Sequence, residues 1–247
     1  MLGPHGNLGS GKDWKMAGIN NSLVLCVATL RWSGWLDSVK SWYQTASPAE
    51  LPLVLACGKE ILPAYQECYE RTREPILGFV HDDLLFYEQD WDMRVREEFR
   101  DTGVGVVGIA GAIGHGTPNL YTVPYHLPNL ARQGFVSNLR HWQQHGGHFT
   151  GRRDVAVIDG MAIFVRRTVL KKWGGWPVGS PLGYHLYTEA LCCETRRQGL
   201  RIRLLGIEAD HLGGRTSTTA AIKEDYAIAH RFLFDTYRDV LPYRVSE

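Results

Sequence analysis

A chain of 247 residues, 44% of them hydrophobic, is long enough for one large α/β domain with appendages. Its net charge of +1 excludes a global electrostatic pull toward nucleic acid or a membrane surface. No apolar run reaches membrane-span length, no signal-peptide core is evident, and five cysteines without CxxC spacing (Cys26, Cys57, Cys68, Cys192, Cys193) read as reduced core residues; a cytoplasmic protein is expected.

Residues 1–21 are glycine-rich and polar and read as a flexible N-terminal arm. Gly6-Asn-Leu-Gly-Ser-Gly-Lys12 fits a phosphate loop up to its lysine, but Asp13 stands where Ser or Thr should bind magnesium and no strand precedes it. Ser22 to Leu30 reads as a buried strand, and Trp35, Leu36, Val39, Trp42 and Tyr43 as one face of the helix after it. A second strand is expected over Leu51 to Ala56, and a second helix carries Leu62, Tyr65, Cys68 and Tyr69. Three strands separated by two helices imply right-handed crossovers and a parallel sheet.

The third strand, Ile76 to Val80, delivers His81-Asp82-Asp83. Ligands collect at the carboxyl ends of parallel strands. Adjacent carboxylates there suit a divalent cation carrying phosphate oxygens, or else an acidic turn with Asp83 as a cap. Trp91, Val95 and Phe99 recur every four residues and mark a helix. Gly103 to Gly111 matches G-x-G-x-x-G, but valines inside the motif assign the glycines to a strand, where they signal close backbone approach.

Residues 115–154 show no period and read as a functional loop in the acceptor region. Its second half mixes Arg132, Arg140, His141, His145, His148, Arg152 and Arg153 with Phe135, Trp142 and Phe149, a pattern that can track a phosphate backbone, bind a sugar, or form a solvated flap. Val155 to Val165 is a strand interrupted at Asp159-Gly160, followed by a helix to Trp173 and a stop at Gly174-Gly175. Thr188 is the expected N-cap of a helix from Glu189 to Gln198 that ends at Gly199. Leu200 to Ile207 forms the last strand and delivers Glu208, Asp210 and His211; residues 215–247 form a loop and a helix with Tyr226, Leu233 and Tyr237 on one side.

Four ordered stretches resemble a family-2-like glycosyltransferase of the GT-A fold, and among these the StrF-type (streptomycin biosynthesis protein-like) subgroup. They are the first strand with Cys26-Val27; Ala64-Tyr65 through Gly78-Phe-Val-His-Asp-Asp83; Val107-Gly108 to Ala112 with Val157 to Arg167; and Tyr184-His185-Leu-Tyr187 through Leu191-Cys192, Arg196 and Gly199 to His211-Leu-Gly213-Gly214. The resemblance spans residues 22–214 and implies an α/β GT-A domain with a mostly parallel sheet. One departure stands out: the family's acidic pair would fall on Thr188 and Ala190, where only the intervening Glu189 is acidic.

The resemblance further implies an inverting, metal-dependent transfer of a hexosyl group from a UDP- or GDP-type nucleotide sugar to a saccharide or small-molecule hydroxyl. Asp83 and His211 become the ligands of Mn2+ or Mg2+, the imidazole favouring Mn2+. Thr29, Arg31 and Asp82 fall to the nucleotide, and His185 and Tyr187 to the acceptor side of the cosubstrate site. Glu189, favoured in its charged form at a helix N-terminus, is the candidate base or a helix stabiliser; Asp159 orients hydroxyls or makes a turn. Three alternatives stand beside this reading: the same chemistry on a hydroxymethylated base in DNA through the basic aromatic segment 132–153, nucleotidyl transfer, and a degenerate sugar-nucleotide binder.

Overall fold

A computed structural model of the chain describes residues 21–30, 35–47, 51–116, 121–122, 127–128, 132–140, 148–183, 185–213 and 220–246. Arg31 and all but the last residue of the expected N-terminal arm lie outside these. The first strand, β1 (Leu23–Thr29), is buried at every position but Ala28 because its side chains alternate between two cores. Val24 and Cys26 join one, while Leu23, Leu25 and Val27 join the other. A continuous apolar run is what a strand covered on both faces requires. The next elements are α1 (Leu36–Thr45), β2 (Leu53–Cys57), α2 (Ile61–Arg71), β3 (Ile76–Val80), β4 (Leu84–Phe86) and α3 (Trp91–Glu98). On α1 the expected apolar face is only partly used. Trp42 is buried and its indole donates to the Leu84 carbonyl at 2.7 Å, whereas Leu36 and Tyr43 are about half exposed.

The glycine-rich run forms β5 (Val104–Gly108) and β6 (Ala110–His115). Their glycines admit neighbouring strands: a Cβ on Gly108 would lie 2.6 Å from Ile158, and one on Gly111 would lie 2.3 Å from the Val157 carbonyl oxygen. Residues 115–154, read from sequence as aperiodic loop, contain strands. After the short pair β7 (Tyr121–Thr122) and β8 (Leu127–Pro128) come β9 (Arg132–Ser137), antiparallel to β6, and β10 (Arg152–Asp154). These strands are short and polar, so their side chains carry no period-two signal.

The remaining elements are β11 (Val157–Ile158), β12 (Ala162–Arg166), α4 (Arg167–Trp173), α5 (Tyr187–Arg197), β13 (Arg201–Leu205), β14 (Ala209–His211), α6 (Ala220–Tyr237) and β15 (Tyr243–Arg244). The cap assigned to Thr188 is displaced: Leu186, with φ 58, precedes the helix, and Thr188 sits buried inside its first turn. Gly199 ends α5 with φ +73, as expected of a C-terminal glycine. On α6, Leu233 and Tyr237 are buried, but Tyr226 is not.

The central sheet has seven strands in the order β10-β13-β5-β12-β3-β1-β2. β2, β1, β3, β5 and β13 run one way, while β12 and β10 run against them, so the sheet is mostly parallel. A smaller sheet (β11-β6-β15, with β9 also on β6) and the ribbon β14-β4 stand beside it. Among the described residues no helix is long and apolar enough to cross a membrane. All five cysteines are free, four of them buried.

Candidate active site

Everything at the site follows from how the chain leaves β3. The His81 amide still pairs with the Met161 carbonyl at 3.0 Å, extending the β3–β12 ladder by one residue. The chain then turns, with the Leu84 amide donating to the His81 carbonyl at 3.3 Å. The turn separates the two adjacent carboxylates. Asp82 reaches toward β1, where its Oδ2 accepts from the Thr29 hydroxyl at 2.5 Å. Asp83 reaches the other way, and its Oδ1 lies 3.0 Å from His211 Nε2. The β14–β4 ribbon makes that contact possible, since it sets His211 opposite Leu84 and the Leu212 amide donates to the Asp83 carbonyl at 3.0 Å.

His81 completes the group. Its Nδ1 lies 3.3 Å from His211 Nε2, and one ligand atom from each of His81, Asp83 and His211 falls within 4.8 Å of the others. Sequence reasoning placed Asp83 and His211 here but missed His81. The signal was the His-x-Asp spacing itself, which puts both side chains on the same side of a turn. Burial and then the neighbouring His211 push the His81 imidazole below its ordinary range. Burial pulls His211 the same way, but its hydrogen bond to Asp83 and the negative charges of Asp83, Asp159 and Asp210 together outweigh that and raise it. Burial alone would raise Asp83; His211 and then His81 hold it below the usual carboxylate range.

A metal fits this donor set. Two imidazole nitrogens and a carboxylate oxygen are a borderline set that favours Mn2+ over Mg2+. The space beside it is kept open by Gly213, where a Cβ would lie 2.2 Å from Asp83 Oδ2 and 3.3 Å from His211 Nε2.

The triad stands between two clefts that share His81 and Ile61. The narrower, about 280 Å³, is lined by Thr29, Lys59, Tyr65, Asp82 and Asp83. The wider, about 530 Å³, is lined by Glu60, Leu182, His185, Tyr187 and Asp225. The expected nucleotide residues Thr29 and Asp82 thus share one cleft, and the expected acceptor-side residues His185 and Tyr187 share the other. The Tyr187 hydroxyl lies 3.3 Å from His81 Nε2. Burial, reinforced by Asp159, keeps that phenol protonated well past its usual range.

Asp159 and Glu189 are also brought together, by a residue that sequence reasoning left in a basic loop. Arg132, the first residue of β9, donates from one guanidinium nitrogen to Asp159 Oδ2 at 2.7 Å. Its other two nitrogens donate to Glu189 Oε1 at 2.8 and 3.3 Å. The second Asp159 oxygen accepts the Met161 amide at 3.2 Å. Burial would raise Asp159, but the charge and hydrogen bond of Arg132, with the His81 charge and the Met161 amide, together more than offset it and keep the carboxyl below its usual range. Glu189 is not among the residues lining either cleft.

The basic aromatic segment 132–153 is likewise engaged internally. Beyond Arg132, Arg140 pairs with Glu208 at 2.7 Å and lies 3.6 Å over the Tyr87 ring, and Arg152 pairs with Glu98 at 3.2 Å. Phe135 and Phe149 pack against the core. His141, Trp142 and His145 lie outside the described residues. In the described part, Arg132, Arg140 and Arg152 are paired with carboxylates and two of the rings are packed.

The sequence matches no protein-family model and no curated protein. The likeness to known proteins is in three dimensions. The crystal structure of GalNAc-T7 with UDP, GalNAc and Mn2+ superposes with a TM-score of 0.55 and 9% identity, over 77% of this chain and 43% of that one. The mannosyltransferase PcManGT from Pyrobaculum calidifontis, in complex with GDP-Man and Mn2+, superposes with a TM-score of 0.50 and 13% identity, over 83% of this chain and 62% of that one. This chain therefore spans less than two thirds of either. At such identities the likeness is one of fold: a GT-A glycosyltransferase fold, mixed α/β with a mostly parallel central sheet.

Proposed function

We propose that this chain is a metal-dependent, inverting glycosyltransferase that moves a hexosyl group from a UDP- or GDP-type nucleotide sugar to a hydroxyl of a saccharide or small molecule. The observation that carries the reading is the placement of His81, Asp83 and His211 at the carboxyl end of β3, between two clefts that meet at His81. The GT-A fold and its Mn2+- and nucleotide-sugar-bound neighbours support the donor class. The sequence motifs support the StrF-type subgroup, and five free cysteines support a cytoplasmic location.

In this reading the narrower cleft takes the nucleotide. Asp82, oriented by Thr29, accepts from a ribose hydroxyl, and Arg31, two residues after Thr29 in the sequence, is assigned to the nucleotide as well. A Mn2+ or Mg2+ held by His81, Asp83 and His211 supplies Lewis-acid neutralisation of the departing diphosphate. The wider cleft takes the acceptor, with His185 and Tyr187 along its wall. With the diphosphate in one cleft and the acceptor in the other, the attacking hydroxyl and the departing diphosphate would stand on opposite faces of the anomeric carbon, which favours inversion.

Asp159 and Glu189 take a changed role. A base works best with a pKa near the operating pH, and a guanidinium bound to both carboxylates opposes that. We assign them to holding Arg132 and the first turn of α5. Proton acceptance then falls to the carboxylates that line the acceptor cleft, Glu60 and Asp225.

The test is release of free nucleoside diphosphate from a panel of UDP- and GDP-sugars with Mn2+. Release that is lost in Asp83→Ala supports the proposal. Pyrophosphate in its place indicates nucleotidyl transfer, and nucleotide-sugar binding without release indicates a degenerate binder. With an acceptor in hand, Glu60→Gln or Asp225→Asn should lower kcat by about a hundredfold or more, and Glu189→Gln by much less.

A further inference from the structure

We infer that Tyr187 is a positioning residue for the metal centre: its hydroxyl holds the His81 ring with Nδ1 turned to the ion and Nε2 turned away. This rests on the metal reading above and extends it one shell outward.

The two ring nitrogens of His81 have different neighbours. Nδ1 is 3.3 Å from His211 Nε2, which is itself 3.0 Å from Asp83 Oδ1, so Nδ1 is the nitrogen on the donor side. Nε2, on the opposite edge, is 3.3 Å from the Tyr187 hydroxyl. A neutral imidazole that gives its Nδ1 lone pair to a cation carries its proton on Nε2. That N–H needs an acceptor, and the phenol oxygen supplies one. Partners of this kind set ligand tautomer and orientation, and their loss typically weakens metal binding by roughly 10–100-fold.

The hydroxyl is held in place from several sides. Tyr187 is the first residue of α5, and its ring meets Tyr65 and Trp176 edge-on, with centroids 6.1 and 6.0 Å away. Beneath the hydroxyl is Gly160, where a Cβ would lie only 2.5 Å from the phenol oxygen. The interruption Asp159-Gly160 between β11 and β12 therefore has a use: it leaves room for this oxygen. Tyr187 also lines the acceptor cleft, so one side chain touches both the acceptor space and a candidate metal ligand.

The experiment is a Mn2+ titration of wild type, Tyr187→Phe and Gly160→Ala by calorimetry. Thermal unfolding without metal is measured alongside, together with the nitrogen hyperfine couplings of bound Mn2+. The expected result is Mn2+ binding by wild type, weakened roughly 10–100-fold in Tyr187→Phe, with one of two imidazole couplings altered and a metal-free Tm close to wild type. Gly160→Ala, which displaces the hydroxyl from below, should move affinity and coupling the same way, and it carries the test if Tyr187→Phe folds poorly. Unchanged Mn2+ affinity in a folded Tyr187→Phe overturns the inference and leaves the metal reading standing. A wild type that binds no Mn2+ overturns both.

Discussion

Two charged clusters sit on either side of Tyr187, and they are built on opposite principles. Around Arg132 one cation bridges two anions: the guanidinium meets Asp159 at 2.7 Å and Glu189 at 2.8 Å, and the spare Asp159 oxygen takes a backbone amide. Around His211 the potential ligand atoms converge on one place. Two imidazole nitrogens face each other at 3.3 Å and a carboxylate stands 3.0 Å away, beside a glycine that keeps the adjoining space clear. A closed cluster stabilises the chain that makes it. A convergent set of ligand atoms marks a place where a cation can bind. The two therefore differ in what a mutation should damage: folding in the first, ligand binding and turnover in the second.

The largest effect should come from breaking the closed cluster. Arg132→Met leaves two carboxylates without their cation in a mostly buried site and should cost about 3–5 kcal/mol. For a chain of this size that lowers Tm by roughly 6–20 °C, read by calorimetry. Because the three groups act as a unit, adding Asp159→Asn and Glu189→Gln to Arg132→Met should recover part of the loss. If Arg132→Met melts like wild type, the cluster is not the structural clamp its geometry indicates.

Breaking the open cluster should do the reverse. Asp83→Asn should lower Mn2+-dependent release of nucleoside diphosphate by about a hundredfold or more, while the metal-free Tm changes by no more than a few degrees. Equal damage to folding and turnover in Asp83→Asn would erase the distinction between the clusters.

Much of this was legible in the sequence, and the part that was not has physical reasons. β3 and its His-Asp-Asp ending could be read because an apolar run buried on both faces has few alternatives, and the ordered motifs pointed to the GT-A fold now seen. His211 could be placed by resemblance, but its partner His81 could not, because two adjacent aspartates looked like the likelier ligand pair. Only the turn shows them diverging, Asp82 to Thr29 and Asp83 to His211. Arg132 was hidden for a different reason. It belongs to a six-residue strand with no hydrophobic alternation, and only the β9–β6 register carries it to Asp159 and Glu189. The α5 start was misjudged because Leu186 adopts a left-handed conformation that leucine rarely takes, where a threonine cap was the ordinary expectation.

A third buried polar group sharpens the comparison, since it belongs to neither kind. His115, at the end of β6, is 1% exposed, and among the described residues neither ring nitrogen has a hydrogen-bond partner. Burial first, then the charges of Arg196 and Arg132 and the nearby His230, push its pKa down to about 3. In the unfolded chain the same imidazole titrates near its ordinary 6.5. Between these values the unfolded state binds the extra proton, so stability rises with pH through that window and is lost as the medium is acidified toward about 3. Above pH ~7 the term vanishes. The slope approaches about 1.4 kcal/mol per pH unit, so about 2–3 kcal/mol should be lost by pH ~4.5. His115→Leu removes the titration together with two unpartnered polar atoms, so its stability at neutral pH should be close to wild type. Urea midpoints between about pH 4.5 and 7.5 decide it. The wild-type curve should fall away from the variant's below pH ~6.5, the contributions of His81 and His211 cancelling in the difference. Parallel curves would mean that His115 takes up its proton in the folded protein as readily as in the unfolded one, and that its burial is relieved at low cost.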